Sequence, residues 1–153
     1  MSYKSRKRTR KIGKLLFVLY LGFVVWFLVF SDWYGRTSTM QEYHYNLVPF
    51  QEIMRFWNYR DQLGMLAVMN LVGNVAIFVP LGFLGAMVRK RRSFIRTSLD
   101  GFLFSLLVEI FQFVAKVGRF DVDDLILNTI GAMLGYIIFI IVNAMRRVYA
   151  KKR

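Results

Sequence analysis

The sequence predicts an all-α integral membrane protein with four transmembrane helices, both termini cytoplasmic, and a short interfacial helix on the outer side. Three observations predict it. Apolar residues make up 56% of the 153 positions and 15 of them are phenylalanine, more than a globular domain of this length usually carries. They gather in blocks near twenty residues long, which matches a hydrocarbon layer about 30 Å thick at about 1.5 Å of rise per helical residue. The charges are sorted as sharply as the apolar residues: seven cations precede the first block (Lys4 to Lys14), five lie between the second and third (Arg89, Lys90, Arg91, Arg92, Arg96), and five close the chain (Arg146, Arg147, Lys151, Lys152, Arg153).

A net charge of +13 is also what a nucleic-acid-binding protein carries. Here the cations flank apolar blocks on one side, which the positive-inside rule accounts for without nucleic acid. Attraction to anionic inner-leaflet lipids is a secondary consequence. The absence of cysteine excludes disulfides, thiolate metal sites and a cysteine nucleophile.

The spans run from about 12 to 30, 63 to 88, 94 to 115 and 125 to 142, within one domain covering residues 1–153. The first resembles a signal peptide in its basic start. It is long enough to cross, and Ser31-Asp32-Trp33-Tyr34 offers no small-residue cleavage site, so it reads as a retained anchor. Trp26, Trp33 and Tyr34 are its expected interface anchors. In the outer segment that follows, Pro49 opens a short helix whose Phe50, Ile53, Met54 and Trp57 share one face. It predicts either a lid over a site or an ordinary interfacial helix.

The second span carries Asn70 and Asn74 four apart, and Pro80 further inward. The third aligns Ser105, Glu109, Gln112 and Lys116 on one face. Asp100, the one acid on the cytoplasmic side, is expected to pair with Arg96 one turn earlier. The fourth begins with Asp123 and Asp124, continues through Asn128, and contains Gly131 and Gly135, a GxxxG match that permits close helix approach.

Counting inward from the outer ends places Asn70 and Glu109 about 10 Å deep and Asn128 about 8 Å deep. Three polar faces thus reach one layer, just inside the run Arg119-Phe-Asp-Val-Asp-Asp124. A buried carboxylate such as Glu109 must be protonated, paired or open to water. The inference is an outward-facing polar pocket at the outer leaflet, with Arg119 as a local counter-charge. Oxygen ligands from Glu109, Asp121 and Asp124 would suit a divalent cation better than zinc, but D-x-D-D is common at helix starts, and no cofactor is called for. His44, the only histidine, lies in the outer loop and reads as a solvated residue. No nucleophile stands out. The same groups serve recognition, a metal-dependent enzyme acting on a lipid-linked envelope substrate, or a structural or signalling role beside another membrane protein.

The ordered set Asn46-Leu-Val-Pro-Phe50, Asn70 to Asn74 with Phe78-x-Pro-Leu-Gly-Phe83, Ser105 to Gln112 around Glu109, Arg119-x-Asp-Val-Asp-Asp124, and Asn128-Thr-x-Gly131 resembles the VanZ-like family of bacterial membrane proteins. The resemblance covers about 46 to 136. It implies a multi-pass protein of the bacterial cell membrane, in a family whose namesake gives resistance to the glycopeptide antibiotic teicoplanin without remodelling the peptidoglycan precursor. The matching positions include Asn46, Asn70, Asn74, Glu109, Gln112, Arg119, Asp121, Asp123, Asp124 and Asn128, the residues expected to line the pocket. Teicoplanin carries a fatty chain, which would bring it to the outer leaflet. The expected partners are therefore membrane lipids and a lipid-tailed glycopeptide or envelope lipid.

Overall fold

A computed structural model describes residues 3–30 and 43–151, with side chains at 11–27, 43–65 and 67–150. The expected anchors Trp33 and Tyr34, the acids Asp32 and Glu42, and the side chains of the cations from Lys4 to Arg10 lie outside the described residues. The elements follow in the order α1 (Tyr3–Phe30), β1 (Tyr45–Asn46), α2 (Gln51–Asn58), α3 (Arg60–Leu63), α4 (Met65–Val88), α5 (Phe94–Val114), β2 (Phe120–Asp121) and α6 (Val122–Lys151).

Among the described residues three helices are long and apolar enough to cross a membrane: Ala67–Val88, Phe94–Val114 and Val122–Ala150. Their outward faces carry Val72, Leu107, Ile110, Ile137 and Ile141 exposed, as helices bathed in hydrocarbon do. The central seam joins α4 to α6 and is made by missing side chains. A Cβ on Gly131 would collide with the carbonyl oxygen of Val75, one on Gly135 with that of Val79, and one on Gly82 with that of Ala132. Backbones this close gain dispersion contacts that bulkier residues would forbid. The GxxxG match is therefore consumed inside the bundle.

α1 lies along α4, with Gly13 against Met87 and Val24 buried to 1% exposure in a core with Phe78, Leu81, Val108 and Ala132. α1 starts before the predicted span, because its basic run is helical, and α6 continues nine residues past residue 142.

At the turn between α4 and α5 Asp100 pairs with Arg89, not with Arg96 as the one-turn spacing predicted. Arg89 ends α4 in an extended conformation and turns back across the interhelix turn, a reach that same-helix spacing cannot anticipate. Ser93 caps α5, its hydroxyl accepting from the Arg96 N–H.

The two strands were not expected. They form a parallel bridge, Tyr45 opposite Phe120 and Asn46 opposite Asp121, which brings the outer segment onto the start of α6.

Candidate functional site

The bridge sets the site, because it holds Asn46 and Asp121 side by side at the end of the bundle where α6 begins. Asp121 stands immediately before α6 and accepts the Asp123 N–H at 3.0 Å, the bond an N-cap residue makes. It also accepts from the Asn46 amide at 3.0 Å, while its own N–H donates to Glu109 Oε2 at 3.1 Å. Asn46 in turn accepts the Val48 N–H at 3.0 Å, closing a local turn.

Asp123 faces the other way, into the N-terminus of α2. Its two oxygens accept the backbone N–H groups of Phe50 at 2.5 Å, Glu52 at 2.7 Å and Ile53 at 3.1 Å. These are donors that a helix start leaves without internal partners, and α2 has no side-chain cap of its own. A carboxylate 70 residues away in sequence supplies the cap, at the positive end of the helix dipole. Phe50 adopts φ +65°, a left-handed conformation that costs a side-chain-bearing residue about 1–2 kcal/mol, in the turn that presents this row of N–H groups.

Arg119 closes the cluster. One guanidinium nitrogen lies 2.8 Å from Glu52 Oε2 and 2.9 Å from Asp121 Oδ2, and Arg55 approaches the same Glu52 oxygen at 2.6 Å. Burial works against the charge of Arg119. The hydrogen bond to Glu52 and the charges of Asp121, Glu52 and Asp124 outweigh it and raise the pKa above the ordinary arginine value. Burial likewise pushes the Asp121 carboxyl above its usual range, against the pull of the Asp123 N–H, Asn46 and Arg119.

Deeper between the helices, the Asn74 amide donates to Asp124 and the Asn128 amide donates to Ser105 Oγ at 2.8 Å. The Asn128 carbonyl oxygen is buried with no hydrogen-bond partner among the described residues. Gln112 is buried and ends the straight part of α5, its carbonyl accepting the Val117 N–H beyond a left-handed Lys116. Asn70 is half-buried one turn outward of Asn74 and takes no part in these bonds.

The structure thus gathers Asn46, Asn74, Glu109, Gln112, Arg119, Asp121, Asp123, Asp124 and Asn128 at one end of the bundle, with Asn70 at the margin. Ion pairs show Arg119 as the counter-charge the sequence suggested. Among the described residues no three His, Cys, Asp or Glu side chains converge where a cation would sit. Glu109, Asp121 and Asp124 do not fit a metal centre, because they address an N–H group, an arginine and amides instead.

Glu52 is the residue sequence reasoning missed. The pattern that puts Phe50, Ile53, Met54 and Trp57 on one face leaves Glu52 off it and does not say which way that face turns. Glu52 is buried, while Phe50, Met54 and Trp57 are 54%, 63% and 62% exposed. The available signal was Arg55 one turn on, a ready partner for a buried acid.

Fold and site together define a multi-pass helical membrane protein in which the segment of β1 and α2 is fastened by acids at the start of α6. The family model for VanZ/LLP1 matches residues 17–143, and the chain belongs to that family. It is 32% identical over 127 residues to Protein VanZ of Enterococcus faecium, an alignment spanning 81% of this chain and 71% of that relative. No solved structure matches.

Proposed function

We propose that this protein resides in the bacterial cell membrane with four spans, α1 included, and both termini in the cytoplasm, and that it gives resistance to a lipid-tailed glycopeptide of the teicoplanin kind. It acts by binding a lipid-tailed ligand at the outer leaflet, without catalysis. One observation carries this reading. Asp123 is spent on holding α2, and α2 so held leaves Phe50, Met54 and Trp57 exposed beside the exposed cations Arg55 and Arg60. An apolar ridge bordered by guanidinium groups suits a fatty chain joined to a head group bearing carboxylate or phosphate. Asn46, Asn70, Asn74, Glu109, Gln112, Arg119, Asp121, Asp123, Asp124 and Asn128, with Glu52, form the polar base on which that surface rests.

The orientation has a direct check, because the chain has no cysteine. Single cysteines at Asn58 and at Arg91 should react with an impermeant maleimide from opposite sides of the membrane. For function, the minimum inhibitory concentration of teicoplanin is measured with the double variant Met54→Gln/Trp57→Gln and with Asp121→Asn, Asp124→Asn and Glu109→Gln. Resistance should be lost in each while the protein still inserts. Undiminished resistance in the double variant overturns the surface, and undiminished resistance in all four overturns the reading. A glycopeptide without a fatty chain should be affected far less by the wild-type protein.

A further inference from the structure

A second place built for a ligand lies at the other end of the bundle, far from the acid cluster. Between α1, α4 and α5 is a cavity of about 280 Å³, close to the lower end of the range of about 300–1,000 Å³ for ligand sites. Its walls are Phe17, Leu21, Leu81 and Phe104, and its polar end is the Arg89–Asp100 pair. Those two side chains keep 29% and 42% of their surface exposed, so the polar end reaches the outside while the rest is hydrocarbon. The shape of this chemistry is that of an amphiphile, one apolar chain with a charged head.

The sign of the head follows from the neighbours. Lys90, Arg91 and Arg96 stand exposed on the same turn, and Asp100 is the one acid there among the described residues. An anionic head gains from this field, and a guanidinium with one edge on Asp100 retains N–H donors for a phosphate. We infer that the cavity holds one acyl chain of an anionic phospholipid of the inner leaflet, its phosphate on Arg89. The leaflet rests on the proposed orientation; the binding itself does not, and the test below reads binding alone.

Gly85 supplies a clean probe. It lines the cavity, and a Cβ there would meet only Phe17 at 3.9 Å, an ordinary contact. Gly85→Leu extends from that unhindered Cβ into the cavity, and Gly85→Ala serves as the control that leaves it open. The full chain is released from nanodiscs of equal phosphatidylglycerol and phosphatidylcholine, and retained lipid is counted by native mass spectrometry. The wild type should keep one phosphatidylglycerol per chain. Arg89→Gln should reduce that retention about tenfold, the usual worth of a hydrogen bond to a charged group. Gly85→Leu should abolish it with an unchanged or higher melting temperature. Equal retention of phosphatidylcholine by the wild type, displacement of the phospholipid by an equal concentration of oleate, or full retention by Gly85→Leu would each overturn the inference.

Discussion

α6 is held twice, and by opposite means. Along its middle it meets α4 through Gly131 and Gly135, where nothing polar is exchanged and backbone lies against backbone. At its N-terminal end it holds the segment of β1 and α2 through Asp121 and Asp123, and α4 through Asp124, by directional hydrogen bonds. The seam is a matter of volume: two helices fit or they do not. The clasp is a matter of pairing, and each bond can be lost separately. A membrane makes this division sensible, since the apolar layer gives helices no hydrophobic reason to associate, while the interface still lets a polar group choose among partners.

The seam should fail abruptly. Gly135→Val places a branched side chain where the Val79 carbonyl oxygen and the Phe83 nitrogen already stand, both parts of a rigid backbone. Separating α4 from α6 exposes the core around Phe78 and Ala132, and the expected loss exceeds about 4 kcal/mol, the range reserved for the severest core changes. The measurement is the yield of folded monomer in detergent after expression. A well-folded Gly135→Val protein would show that the seam tolerates separation.

The clasp should fail locally. Asp123→Ala strands three N–H groups at the start of α2, each worth about 0.5–1.5 kcal/mol net, or more where the acceptor is charged. We expect a loss of about 2–4 kcal/mol of local stability, read as faster amide exchange at 50–53 with exchange in the middle of α6 unchanged. If the middle of α6 loosens equally, seam and clasp are one cooperative unit and the distinction falls.

Arg119→Met removes the cation shared by Glu52 and Asp121. Arg119 keeps about a third of its surface exposed, so water compensates part of the loss, and about 1–3 kcal/mol is expected. Limited proteolysis of the segment between β1 and α3 is the sensitive readout.

The two regions were unequally legible in the sequence. The seam could be read as GxxxG, and the helices as apolar blocks, because a bilayer fixes span length and leaves few alternatives. The depth argument put Asn70, Glu109 and Asn128 in one layer, since counting residues along a helix is counting ångströms; Asn70 lies at the margin, and Asn74 one turn further along makes the bond. What was hidden depends on contacts across 70 or more residues. A two-residue parallel bridge has no periodicity to detect, and the capping of α2 by Asp123 joins segments that no local pattern relates. Glu52 was missed because an acid off the apolar face of a short surface helix is ordinarily exposed. In this bundle the apolar face of α2 stays exposed and the buried position goes to the acid.

The smallest effect concerns the proton. Burial raises the Asp121 pKa above its value in an unfolded chain, so the folded state holds this proton more tightly. Between the ordinary carboxylate value and the raised one, the folded protein carries more protons than the unfolded, and the contribution of Asp121 to stability falls as pH rises through that window. Acidification should therefore recover part of what its ionisation costs, the reverse of a carboxylate whose pKa is depressed by its partners. Other acids titrate in the same range, so the informative quantity is a difference. Asp121→Asn cannot ionise, and an amide oxygen still accepts the Asp123 N–H. Subtracting its stability profile between pH 3 and 7 from that of the wild type should leave a wild-type curve that falls with rising pH. A difference that rises would mean that Arg119 and Asn46 outweigh burial at this carboxylate. The clasp would then gain from the charge on Asp121, where the structure assigns it a cost.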